Sequence, residues 1–360
     1  MNLELLSDFS QGNLHMQDHL SEICMSNPSS IGTTRQPVSQ VVINEYGDAS
    51  HLLFRQVELP PPAHGEVRIR HAAIGVNFVD IYHRTGLYAL PALPAVLGVE
   101  AAGVVEAVGS GVESLLPGQR VAYAGLPVGG YSSARNLPAD QVLPIPDDLE
   151  DDTVASLLLR GVTTHMLYSY VYQLKAGNVV LVHAAAGGLG LVLVQWAKSL
   201  GARVIGTVGS PEKAALAKQY GLDEAILYRE QDFVSEVHKL TDGRGVDYAI
   251  DGIGGQTLLK TLEAVRPYGM VASIGQVAGN PGPIDLALLG PARSVALSRP
   301  GVIKFMSDPG RYREGVLATF KQLQNNLKAN IGLVLPLSQA AEAHRMLEAG
   351  QTTGSILLRP

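Results

Sequence analysis

The chain has 360 residues, 46% hydrophobic and 17% charged, with a formal net charge of -6. That length admits about two domains with substantial cores, and the balance is globular, neither disordered nor membrane-spanning. The acidic balance provides no basic surface for a phosphate backbone and does not indicate nucleic-acid binding, while a single cysteine, Cys24, excludes an intrachain disulfide and suits a reducing cytoplasm.

Residues 1–36 are polar, carry Glu4, Asp8, Asp18 and Glu22, and contain no long apolar core. Neither a signal nor a transit peptide is read there, and the stretch is expected to be a mobile N-terminal extension or the product of a misassigned start. From Val38 the chain turns to short apolar runs separated by Gly and Pro, among them Glu66-Val-Arg-Ile-Arg70, Ala102-Gly-Val-Val-Glu-Ala-Val-Gly109 and Gln119-Arg-Val-Ala-Tyr123. Strands at such spacing predict a compact, mostly antiparallel domain. Between residues 153 and 299 helix-like and strand-like patterns alternate, which predicts a doubly wound parallel sheet with strands at 224–227, 246–251 and 269–275. The tail reads as a helix over 339–348 and a last strand over 355–359, without a further nucleotide signal.

The run 179–198 reads as a buried strand, a glycine turn and a helix in immediate succession. Val179, Val180, Leu181 and Val182 suit a parallel strand covered on both faces. Gly187, Gly188 and Gly190 leave no Cβ between the backbone and a pyrophosphate, and the helix beginning near Leu189 offers free N–H groups and the positive end of its dipole. Ala185 holds the first position of G-x-G-x-x-G, so an ordinary glycine turn is the competing reading. His183, the glycines, Gln195 and Lys198 interrupt what would have to be about 20 lipid-compatible residues. The next strand ends about 20 residues beyond the turn, where NAD enzymes carry an acid for the ribose hydroxyls. Gly209, Ser210 and Lys213 are read there instead, with no acid, which favours NADPH through its 2′-phosphate. Tyr228 and Arg229 are placed to complete that pocket, and a solvated helix position is the alternative for Lys213.

Four motifs occur in order: Gly75-Val-Asn-Phe-Val-Asp-Ile-Tyr-His-Arg-Thr-Gly-Leu-Tyr88, Leu97-Gly-Val-Glu-Ala-Ala-Gly103, the turn from His183 to Gly190, and Ser298-Arg-Pro300. Together they resemble the NADPH:quinone oxidoreductases, the zeta-crystallin-like, zinc-free branch of the medium-chain dehydrogenase/reductase superfamily, over residues 38–360. The resemblance implies an α/β protein in which a Rossmann doubly wound parallel sheet is joined to a GroES-like, mostly antiparallel β catalytic domain, in a homodimer. Residues 37–161 and 302–360 would form the catalytic domain and residues 162–301 the NADPH-binding domain.

Zinc-dependent members of the superfamily need Cys and His ligands. Asn77 and Val99 stand where those relatives present Cys and His, and His71, His83, His165, His183 and His344 show no ligand spacing, so no metal is expected. Alcohol oxidation without a Lewis acid loses its alkoxide stabilisation, whereas reduction of an electrophilic acceptor needs none. The resemblance therefore implies transfer of reducing equivalents from NADPH to a small-molecule quinone. Reduction of α,β-unsaturated aldehydes or ketones is the alternative, and an NADPH-binding protein with little turnover is a second one. By resemblance Asn77, Tyr82 and Tyr88 line the acceptor cleft, with Asn77 and Tyr82 donating to a carbonyl oxygen as it gains charge. Packing is the competing role for both tyrosines. Thr163, Ile253, Ile274, Gly275, Gln276, Arg299 and Gly354 are carried over as cofactor contacts. Gln276 stands where close relatives often have Asn, and Arg299 is expected to reach cofactor or substrate, or to pair with an acid at the domain boundary.

Overall fold

The computed structural model describes residues 36–360; residues 1–35, which hold Cys24 and nearly all of the expected extension, lie outside the described residues. Glycine- and proline-broken apolar runs give β1 (Gln36–Ile43), β2 (Leu53–Leu59), β3 (Glu66–Val76), β4 (Ala95–Val96), β5 (Glu100–Val108), β6 (Arg120–Ala124), β7 (Ala134–Pro138) and β8 (Leu143–Pro144). Every pairing among them is antiparallel. One short helix, α1 (Phe78–Arg84), interrupts this series directly after β3.

Helix α2 (Asp151–His165) follows and continues into a π-helical turn at Met166–Val171. Strand and helix then alternate through β9 (Val179–Val182), α3 (Gly188–Ser199), β10 (Arg203–Val208), α4 (Pro211–Gln219), β11 (Glu224–Leu227), α5 (Phe233–Leu240), β12 (Val246–Asp251), α6 (Gly255–Glu263), β13 (Val265–Ser273) and β14 (Ala296–Ser298). These strands form one wholly parallel sheet in the order β11-β10-β9-β12-β13-β14. The order reverses at β9, and a doubly wound sheet opens its ligand crevice at such a point, beyond the C-terminal strand ends. All four residues of β9 are buried, as a strand covered on both faces requires.

The tail contributes α7 (Val302–Met306), α8 (Pro309–Gln324), β15 (Ile331–Pro336), α9 (Ala340–Glu348) and β16 (Ser355–Arg359). Strand β16 pairs antiparallel with β3, Leu357 opposite Gly75, and β15 lies parallel to β16, so the chain's end completes the seven-stranded sheet of β3, β5, β6, β7 and β8, while β1, β2 and β4 form a separate three-stranded sheet. Helix α2 runs without a break through residues 161 and 162, where the two domains are expected to divide. Its Leu157, Leu158 and Val162 share one core with Ala73 and Val99 of the antiparallel part and with Val180 and Val182 of the parallel sheet. Gly161 lets α8 approach closely, since a Cβ there would lie 2.3 Å from the Thr319 side chain. Among the described residues no helix is long and apolar enough to cross a membrane.

A buried polar chain ties α9 to α1. Arg84 donates to Glu348 at 2.6 and 3.0 Å and to His344 Nδ1 at 3.2 Å. A guanidinium can only donate, so Nδ1 accepts and Nε2 carries the hydrogen that bonds the Tyr131 hydroxyl at 2.8 Å. Tyr131 then donates to Asp80 Oδ2 at 3.1 Å. Burial, helped by the Arg84 charge, pushes His344 down to about 3 from the usual 6.5, and burial pushes His71 and His83 down to about 4. These neutral histidines lend stability that is complete above 6.5 and is lost as pH falls through 4, because only the unfolded chain takes up their protons. Asp80, raised by burial to about 7, and Glu100, also raised by burial, act in the opposite sense, but the buried histidines outnumber them. Melting temperature should therefore fall between pH 6.5 and 4.5, with each fully buried histidine contributing up to about 3 kcal/mol by the acid end. His344→Gln should flatten that slope whatever it does to the absolute melting temperature; an unchanged slope would remove His344 from the account.

Candidate active site

At the end of β9 the backbone turns through Ala184, whose φ of +51° is left-handed. His183, buried just before it, bonds Thr207 and Thr261 at 2.9 Å each, and Thr261 donates to Asp251 at 2.8 Å. The other Asp251 oxygen receives the N–H groups of Ile253 and Gly254 at 2.8 Å, which shapes the loop leaving β12. Gly187 caps α3 without a side-chain acceptor, so the first-turn N–H groups are left for an anion. A Cβ on Gly190 would stand 2.3 Å from the Ala184 carbonyl oxygen, a backbone contact that admits only glycine. On Gly188 it would meet Arg160 Nε at 2.7 Å and Gly354 O at 3.0 Å. Gly354 forms a parallel bridge with Gly187, so the chain's end abuts the turn.

Beyond β10, a Cβ on Gly209 would lie 3.3 Å from the Tyr228 hydroxyl and 3.6 Å from Arg229 Nε. Ser210 caps α4 by accepting from the Lys213 N–H at 3.3 Å. The Lys213 ammonium donates to the Gly350 carbonyl at 2.9 Å, an exposed contact that ties α4 to the tail. The expectation of an acid-free region needs correction. Glu212 lies beside Ser210, and a hydrogen bond from that hydroxyl holds its exposed carboxyl below the ordinary range.

Across the cleft, Asn77 ends β3 and caps α1. Its backbone N–H donates to Asp80 at 2.8 Å and its amide Nδ2 to Glu100 at 2.7 Å. Glu100 is fully buried; its other oxygen receives the Leu159 N–H of α2 at 2.6 Å. Burial raises the Glu100 pKa, and the Arg160 charge opposes that rise. Arg160 itself donates to the carbonyls of Val76, at 2.9 Å, and Ser156.

Tyr82, one turn along α1, is buried, and its hydroxyl oxygen accepts the Gln276 backbone N–H at 3.1 Å. Burial raises its pKa. Tyr88 packs its edge against Tyr82, ring centres 5.1 Å apart, and is partly exposed. Arg299 donates to Ser273 at 2.9 Å and to Gln276 Oε1 at 2.7 Å, so it bonds neutral partners rather than an acid. Thr163 lies within α2 with its hydroxyl donating to Leu159 O at 2.7 Å. Ile274 and Gly275 follow β13, where a Cβ on Gly275 would come within 2.6 Å of Gly252 O.

Arg160 thus links the glycine turn, with its uncapped N–H groups, to the β3–α1 junction that carries Asn77. Sequence reasoning missed Glu100, Arg160 and Asp80. The available signal was a lone charge inside an apolar run, Glu100 before Ala101-Ala102 and Arg160 after Leu157-Leu158-Leu159, since such charges are buried only when paired. Among the described residues no group of three His, Cys, Asp or Glu side chains could hold a metal ion.

Residues 63–147 match the alcohol dehydrogenase GroES-like domain family and residues 188–320 the zinc-binding dehydrogenase family. A 2-haloacrylate reductase of a Burkholderia species is 40% identical over 90% of this chain and 99% of its own length. A quinone oxidoreductase of Pseudomonas aeruginosa is 39% identical over 88% and 97%. The crystal structure of Escherichia coli quinone oxidoreductase complexed with NADPH superposes with a TM-score of 0.85 at 35% identity, covering 89% of this chain and all of that one. The chain belongs to the quinone oxidoreductase family of the medium-chain dehydrogenase/reductase superfamily.

Replacing Glu100 by Ala would leave the Leu159 N–H and the Asn77 amide without their acceptor and Arg160 without its nearest counter-charge. Loss of one partner in such a buried set costs about 3 to 5 kcal/mol, to be read from denaturant unfolding. A loss below about 1 kcal/mol, the range of an exposed ion pair, would contradict the burial argument.

Proposed function

We propose that the protein reduces quinones with NADPH, without a metal, and that residues 162–301 form the cofactor side while 37–161 and 302–360 form the acceptor side. The observation that carries this reading is the Tyr82 hydroxyl, held across the cleft by the Gln276 N–H and left with its own hydrogen to donate. The residues fit the cofactor. The uncapped turn at Gly187 to Gly190 suits a pyrophosphate, and Gly209, Ser210, Lys213, Tyr228 and Arg229 are assigned to the 2′-phosphate, with Tyr228 and Arg229 close to Gly209. By resemblance Thr163, Ile253, Ile274, Gly275, Gln276, Arg299 and Gly354 would approach the rest of the cofactor. Bound NADPH supplies a hydride, and the reduced acceptor takes one further proton, so that hydroquinone and NADP⁺ result. The protein aims donors at the oxygen that becomes negative: Asn77, whose amide is oriented by Glu100, and Tyr82. Such a preorganised donor is worth about 2 to 4 kcal/mol in a dry site.

Reduction of conjugated carbonyl compounds is the second reading, supported by the 2-haloacrylate reductase of Burkholderia, whose name describes an activated double bond. A cytoplasmic location accords with the cysteine-poor composition. Self-association as a homodimer is supported by β14, whose outer edge pairs with no strand among the described residues, and by the exposure of Tyr268 and Leu286, at 80% and 77%.

Both acceptor classes should be assayed anaerobically in the presence of a chelator. Tyr82→Phe should slow quinone reduction between about tenfold and 10²-fold and enone reduction more, because a quinone gains an aromatic ring that stabilises its reduced oxygen and an enone does not. Unchanged rates with both acceptors would return Tyr82 to packing. Lys213→Ala should weaken NADPH more than NADH by roughly 1 to 3 kcal/mol, measured by fluorescence titration. Equal weakening of the two would instead assign Lys213 to the tail contact at Gly350.

A further inference from the structure

We propose that Arg299 is a positioning residue for the acceptor. It holds the loop after β13 so that the Gln276 N–H occupies one lone pair of the Tyr82 hydroxyl and leaves the hydroxyl hydrogen aimed into the cleft. The proposal rests on Tyr82 being a donor to the acceptor oxygen.

Arg299 leaves the C-terminal end of β14, the edge strand of the parallel sheet. From there its guanidinium spans the end of β13, one arm on Ser273 at 2.9 Å and the other on the Gln276 side-chain oxygen at 2.7 Å. The fork is matched to two acceptors three residues apart, which fixes the loop between them. Gln276 is thereby anchored at its side chain while its backbone N–H reaches across to α1, 3.1 Å from the Tyr82 oxygen. A phenol has one hydrogen and two lone pairs. With one lone pair filled from Gln276, the hydrogen is left over, and no acceptor for it is recorded among the described residues.

The ring itself has little freedom. Tyr88 meets it edge-on at 62°, and Phe78 lies 6.4 Å away on the same helix. Only rotation about the bond to the hydroxyl remains, and the Gln276 contact restricts that. Burial raises the Tyr82 pKa; the Gln276 bond opposes that rise, and the Arg299 charge opposes it less. Both Arg299 hydrogen bonds go to the end of β13 and the loop after it, so its hold on Tyr82 passes through Gln276.

The test is a double-mutant cycle over the unmodified protein, Tyr82→Phe, Arg299→Met and the pair. Single-turnover reduction of a quinone is followed by stopped flow, and NADPH affinity by fluorescence titration. Arg299→Met should slow the single-turnover rate roughly tenfold in the unmodified protein. In the Tyr82→Phe background it should slow it less than about twofold, with NADPH affinity changed less than about threefold in both. Arg299→Lys should recover part of the rate, because an ammonium can satisfy Gln276 or Ser273 but not both in the fork geometry. Equal slowing in the two backgrounds would overturn the proposal, as would a defect confined to NADPH affinity, which would make Arg299 a cofactor contact. Should Tyr82→Phe alone leave the rate unchanged, the donor reading beneath the proposal fails first, an outcome distinct from the absence of coupling.

Discussion

Glu100 opens β5 with no exposed surface, and its two oxygens hold two different elements, the Leu159 N–H of α2 and the Asn77 amide at the head of α1. A carboxylate removed from water costs several kcal/mol unless donors and an opposite charge replace the solvent. Here the two donors do so together with Arg160, and the arrangement is possible only if β5, α1 and α2 meet at one place. Gly75 in β3 makes that meeting possible, because a Cβ there would stand 2.4 Å from both the Ala155 carbonyl and the Glu100 carboxylate. Arg160 extends the junction to the glycine turn at Gly188, so that turn and the β3–α1 junction are referenced to a common helix.

The tail serves the same cleft from the other end of the chain. Strand β16 completes the sheet that carries β3, Gly354 bridges Gly187, and Gly350 receives the Lys213 ammonium. Helix α9 adds the polar chain through His344 and Tyr131 to Asp80, whose direction is set by Arg84 because a guanidinium has no lone pair to offer. A buried polar group that finds its partner only in one geometry contributes specificity beyond its modest net energy. The last stretch of sequence is thus fastened to α1, which Asn77 caps and which carries Tyr82, and to the glycine turn before α3.

Charge on the acceptor side is kept low. Asp80 is raised by burial to about 7, and the Glu100 carboxylate is opposed by the Arg160 charge. Under the proposed function an acceptor oxygen gaining electrons would meet neutral donors rather than a net negative wall. Electrostatic stabilisation of this kind depends on dipoles already pointing the correct way, since reorientation during the reaction would consume the advantage. The Asn77 amide, held by its donation to Glu100, and the Tyr82 hydroxyl, held by the Gln276 N–H, meet that condition.

Local pattern sufficed for the elements whose character is local. The apolar run at β9, the glycines after it, the strand at Glu224–Leu227 and the last strand at Ser355–Arg359 were legible because periodicity and glycine placement act through near neighbours. Motif order along the chain was enough to identify the family. The partners of side chains were not legible: Lys213 on Gly350, Arg299 on Gln276 and Ser273, and Asn77 on Glu100 are separated by 137, 23 and 26, and 23 residues. Nor does spacing reveal that α2 belongs to both halves of the molecule. Such contacts exist only once the two sheets close around α2, because a hydrogen bond acts over about 3 Å and only the packed fold brings those residues within that distance.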